Sequence, residues 1–148
     1  MWLKEQFGIN ELAHRTVLTH GLGESFLAEI IEDWENRVRA EGLDMAYLPS
    51  PGLVKLRITS TEGNQQIIDK YCEELYPLIP EYIFGEGIIT MQETLANLLK
   101  ERNATISLAE SCTGGFASHL LTAIPGSSSF YEGSIICYSY DIAKIEEF

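Results

Sequence analysis

The feature that most constrains this chain is a change of hydrophobic period, repeated in a fixed order between His14 and Phe84. His14-Arg-Thr-Val-Leu-Thr-His20 is rich in β-branched residues and is closed by Gly21-Leu-Gly23, which predicts a strand entering a turn. Leu27, Ile30, Ile31, Trp34 and Val38 then fall on one helix face, with Glu29, Glu32, Asp33, Glu35 and Arg37 facing water and Gly42 as terminator. Met45-Ala-Tyr-Leu48 and Leu53-Val-Lys-Leu-Arg-Ile-Thr59 flank Pro49-Ser-Pro-Gly52, and the second run alternates apolar with polar residues, a hairpin signal. Helical spacing returns at Ile67, Ile68, Tyr71, Cys72 and Leu75, ends at Pro77 and Pro80, and gives way to Tyr82-Ile-Phe84. The order β-α-β-β-α-β predicts a small α+β domain over residues 1–88, one sheet covered on one face by two helices.

A second unit is expected over residues 89–148. Thr90-Met-Gln-Glu93 matches a capping box, which starts a helix bearing Leu95, Leu98 and Leu99. Ala104-Thr-Ile-Ser-Leu-Ala109 reads as a buried strand, Phe116, Leu120, Leu121 and Ile124 as a helix ending at Pro125-Gly126, and Tyr131 to Tyr138 as another strand. This is an α/β pattern, a β-α-β unit with parallel strands and a crossover helix.

With 148 residues, 45% of them apolar and 22% charged, the chain has the composition of a folded globular protein. The net charge is -12; up to Ile88 there are 15 acidic and 7 basic residues, and from Ile89 onward 7 and 3. Neither half is basic, so nucleic acid is not an expected partner. No apolar run approaches the ~20 residues of a membrane span, and Met1-Trp-Leu-Lys-Glu-Gln6 does not resemble a signal peptide, so a cytoplasmic protein without membrane association is expected. Cys72, Cys112 and Cys137 form no C-x-x-C pair, and His14, His20 and His119 form no H-x-x-x-H pair. Reduced thiols and no metal or organic cofactor follow as expectations.

The chemistry-bearing stretch is Glu110-Ser-Cys-Thr-Gly-Gly115, set between a strand and a helix. N–H groups at a helix start favour negative charge, and glycines let a ligand approach the chain closely. The same residues also serve as ordinary caps and turn formers. A serine nucleophile needs a base. Tyr138 ends the next strand and Lys144 follows six residues on, where a parallel crossover would bring both beside the turn. Cys112 competes with Ser111 as nucleophile, and spacing alone does not choose between them.

Ala109-Glu-Ser-Cys-Thr-Gly-Gly115, with Pro125-Gly126 and Gly133-Ser-Ile-Ile-Cys-Tyr-Ser139 leading to Lys144, resembles the start of the C-terminal domain of the competence/damage-inducible CinA family, a nicotinamide-nucleotide amidase. Arg15-Thr-Val-Leu-Thr-His-Gly-Leu-Gly-Glu-Ser25 and Ala46-Tyr-Leu-Pro-Ser-Pro-Gly-Leu-Val-Lys-Leu-Arg57 are similar to the small linking domain that precedes it in long members. The resemblance implies that the amide of nicotinamide mononucleotide is hydrolysed to nicotinate mononucleotide and ammonia. Ser111 would be the nucleophile, Tyr138 and Lys144 its activating partners, and Cys112, Thr113, Gly114 and Gly115 would line the substrate site.

The family's amidase domain continues well beyond the Tyr131–Tyr138 strand, whereas this sequence stops at Phe148, so the resemblance implies a truncated domain, inactive by itself. Its exposed apolar face would be covered by a second copy or by the missing remainder. Two other readings stay open: a non-enzymatic linking or docking module, and a turn that binds a nucleotide phosphate without chemistry. The strand and helix order of the first unit also invites comparison with KH domains. Gly21-Leu-Gly-Glu24 and Gly85-Glu-Gly-Ile88, however, lack the G-x-x-G spacing that clamps a nucleotide backbone.

Overall fold

The computed structural model describes residues 12–139, so Lys144 and the leader reading of Met1–Gln6 lie outside the described residues. The chain divides between Ile89 and Thr90 into two compact units.

The first unit runs β1 (Ala13–His20), α1 (Glu24–Ile30), α2 (Glu32–Ala40), β2 (Asp44–Ser50), β3 (Leu53–Ser60), α3 (Gln65–Leu75) and β4 (Ile83–Glu86). Its sheet has the order β2-β3-β1-β4, with every neighbouring pair antiparallel. Val17 pairs with Leu56 and Met45 with Ile58, so these side chains share one face with Val54. Lys55 and Arg57 point to the other face and are exposed. β1 lies between two partners, and its residues Thr16 to Thr19 are all buried. Thr19 keeps its buried hydroxyl satisfied by donating to the Val54 carbonyl at 2.8 Å.

The three helices bury Leu27, Ile31, Trp34, Val38, Ile68, Tyr71, Cys72 and Leu75 in one core with the strand residues. Trp34 Nε1 donates to the Tyr71 carbonyl at 3.1 Å and ties α2 to α3. The single helix expected from Leu27 to Val38 is two, because Ile31, at φ -105° and ψ 13°, lies outside helical geometry and serves as the junction. Ile30 consequently lies off the buried stripe and is half exposed. The hairpin turn is Pro51-Gly52, where φ of +75° at Gly52 suits glycine after proline. Asn64 caps α3 by accepting from Ile67 N–H.

The second unit runs α4 (Met91–Glu101), β5 (Ile106–Glu110), α5 (Phe116–Thr122), a 3-10 turn (Ser127–Ser129) and β6 (Tyr131–Ile136). β5 and β6 are parallel neighbours, as the crossover pattern implies. Thr90 and Glu93 form the full capping box, the Thr90 N–H donating to Glu93 Oε2 at 2.8 Å. Among the described residues three side chains are fully enclosed in this core: Ala96, Leu121 and Phe130. The first core has fifteen. A buried aliphatic or aromatic side chain contributes about 1.5–3 kcal/mol, so the second unit has the smaller reserve against the entropy of ordering its backbone.

The apolar stripe expected on α4 is displaced: Ala96 is buried, Leu95 and Leu99 pack at the margin, and Leu98 is 40% exposed. Phe116 is also exposed, while Phe130, which no periodicity marks, is buried under the Lys100 ammonium 5.2 Å from its ring centroid. No helix among the described residues is long and apolar enough to cross a membrane.

Candidate active site

The turn from β5 to α5 is built by one residue. The Glu110 carboxylate, 6% exposed, accepts N–H bonds from Gly115 (3.1 Å), Ala117 (3.0 Å) and Ser118 (2.9 Å), and a hydroxyl bond from Ser118. These donors, the Ser118 hydroxyl first, overcome the opposing effect of desolvation and hold the carboxyl at about 2. The helix start therefore already has its anion. The expectation of N–H groups free for a ligand is corrected at Gly115, Ala117 and Ser118, because a side chain of the same chain takes them.

The Glu110 main chain is fixed too, since its carbonyl accepts the Cys137 N–H at 2.8 Å beyond the Glu110–Ile136 pair of the parallel ladder. Ser111 follows Glu110, and Tyr138 follows Cys137. Both thus leave the same carboxyl end of two strands that run about 4.8 Å apart, the end at which open α/β sheets bind ligands.

Ser111, Cys112, Thr113 and Gly114 are exposed, and Tyr138 is 77% exposed. The Ser111 carbonyl accepts from Gly114 N–H and the Thr113 carbonyl from Phe116 N–H, each at 3.0 Å, which closes the turn. The N–H groups of Cys112 and Thr113 have no acceptor among the described residues. They remain available to an oxyanion forming at a group attached to Ser111.

The two glycines differ. Gly114, at φ +56°, faces open space, so a ligand can approach it. Gly115, at φ +94°, is approached instead by Ile136, whose Cδ1 would stand 2.8 Å from an added Cβ. Of the seven residues expected at the site, Ser111, Cys112, Thr113, Gly114 and Gly115 form this turn, Tyr138 follows the end of β6, and Lys144 lies outside the described residues. Glu110 was missed as the organiser; its signal in the sequence is a carboxylate ending an apolar strand five residues before the second of two glycines. No three His, Cys, Asp or Glu side chains among the described residues gather as a metal site.

Residues 14–85 match the model of the damage-inducible protein CinA KH domain, and residues 88–145 match that of the CinA C-terminal domain. The chain belongs to the CinA family. It is similar to CinA-like proteins of Cytophaga hutchinsonii (42% identical over 95% of the chain), Amoebophilus asiaticus (34% over 93%) and Flavobacterium psychrophilum (41% over 90%). In each case it spans about a third of the relative's length, 34%, 34% and 33% respectively. The KH description falls on the antiparallel unit, whose strand and helix order had invited that comparison. No two glycines of this chain stand three apart, so the G-x-x-G clamp is missing from it.

Proposed function

We propose that this chain carries the nucleophilic turn of a CinA-type amidase that converts nicotinamide mononucleotide to nicotinate mononucleotide and ammonia. The observation that carries this reading is the shared strand end: Ser111 and Tyr138 are each one residue past the Cys137 N–H to Glu110 carbonyl bond. Ser111 Oγ attacks the carboxamide carbon, and its proton passes through Tyr138 and Lys144 to the departing nitrogen. The oxyanion is met by the N–H groups of Cys112 and Thr113. Ammonia leaves, and water then hydrolyses the ester to release the acid and restore the serine. Gly114 borders the substrate. The partner is a small nucleotide; the net charge of -12 argues against nucleic acid.

Among the described residues, Ser111, Cys112, Thr113 and Tyr138 are all exposed to water, and hydrogen bonds to an oxyanion are weak in high dielectric. Turnover by this chain alone is therefore expected to be slight, and a covalent adduct is the sharper readout. After incubation with nicotinamide mononucleotide, mass spectrometry of the chain should find the acyl group on Ser111, absent in S111A and present in C112A. An adduct lost only in C112A would overturn Ser111 as nucleophile.

The phosphate-binding reading is disfavoured because Glu110 occupies the start of α5. A docking role is favoured by one observation, the exposure of Phe116, Ile135 and Ile136. Concentration-dependent sedimentation that F116E abolishes would support it.

A further inference from the structure

Three oxygens of Glu110 hold the segments around the proposed reacting groups: its carbonyl holds the end of β6, and its two carboxylate oxygens hold the start of α5. The Glu110 carbonyl binds Cys137, next to Tyr138, while the Glu110 side chain binds the start of α5 and so closes the turn that begins at Ser111. Both carboxylate oxygens are used: Oε2 accepts from Gly115 and Ala117, and Oε1 accepts from the Ser118 N–H and hydroxyl. Four donors on one carboxylate leave it little capacity to act as a base, so its role is exerted through its neighbours.

We propose that Glu110 is the positioning residue of the Ser111 reaction, its two-oxygen clamp on α5 setting the turn so that the Ser111 hydroxyl and the N–H groups of Cys112 and Thr113 face one reacting carbonyl. The inference rests on the reading of Ser111 as nucleophile. Loss of the clamp frees residues 111–115, and a displacement of about 1 Å at a reacting atom lowers a rate roughly 100-fold. A glutamine keeps one acceptor oxygen and puts an NH₂ donor against N–H groups where the other oxygen was, so it is not a neutral replacement.

The test uses p-nitrophenyl acetate, which needs no bound nucleotide. Ser111 Oγ forms an ester with the acetyl carbon, the carbon–oxygen bond to p-nitrophenolate breaks, and the serine proton is released to solvent. The acetylation rate at Ser111 is followed by mass spectrometry of the whole chain and of E110Q, E110A and S118A. The clamp predicts a rate roughly 100-fold lower in E110Q, with faster hydrogen exchange at the Ala117 and Ser118 amides. S118A, which removes one hydroxyl donor and keeps the charge, should lie between, and it serves if E110Q does not fold. Formate, but not chloride, should restore part of the rate in E110A, a readout that a loss of packing would not give. Equal rates in the wild type and both folded variants would overturn the positioning role. Acetylation of Ser111 no faster than at the exposed Ser128 would overturn the nucleophile reading, and positioning with it.

Discussion

A Cβ on Gly115 would stand 2.8 Å from Ile136 Cδ1, so the glycine that caps the start of α5 is fitted to a side chain of β6. Its φ of +94° adds a backbone demand that an L-residue meets at a cost of about 1–2 kcal/mol. Gly115→Ala should therefore destabilise the second unit by about that amount, because the flexible tip of Ile136 can yield. Denaturant unfolding followed by amide signals of residues 106–136 would measure it.

Glu110 also sets an acid limit. Its carboxyl is held at about 2 in the folded chain by the Ser118 hydroxyl and the α5 N–H groups, against about 4.3 when unfolded. The stability it contributes is thus fully present above the unfolded value and is lost as pH falls through the folded one. The second unit should lose stability between about pH 5 and 2. E110Q should be less stable at pH 7 and show a flatter slope across that window, measured by urea midpoints at stepped pH. An unchanged slope would contradict the hydrogen bonds drawn to this carboxylate.

The Thr90–Glu93 capping box makes a separable prediction. Thr90→Ala removes the acceptor of the Glu93 N–H, leaving an unpaired donor at the first turn of α4. Such a loss costs about 0.5–2 kcal/mol, and thermal unfolding should register it without any change in Ser111 acetylation.

Tyr138→Phe removes a hydroxyl from the carboxyl end of β6 without altering the ring. If that hydroxyl relays the serine proton, acetylation of Ser111 should slow by roughly 100-fold, the scale of one general acid–base group. A rate within twofold of the wild type would assign the proton transfer elsewhere.

Much of the fold was legible because local signals agreed with the tertiary outcome. The alternation of Val54, Leu56 and Ile58 against Lys55 and Arg57, the Thr90 cap and the parallel crossover all stand in the structure. What escaped was decided by distance in the chain. Ile31 interrupts a helix whose apolar spacing runs on unbroken, and Phe130 fills the second core from a segment with no period of its own. At the site, the turn was readable from order alone, while the strand expected to run to Tyr138 ends two residues earlier, at Ile136. The Glu110 clamp was not readable, because a carboxylate in a turn reads as solvated until the three backbone donors five, seven and eight residues ahead fold back over it.

The tethered anion at α5 has a consequence for selectivity. Phosphate and sulfate in a buffer meet a helix end already neutralised, so they should neither protect Ser111 nor compete at the turn. On the amidase reading proposed above, discrimination there is shifted away from charge and toward an uncharged amide, the form such a substrate would present before reaction and lose afterwards.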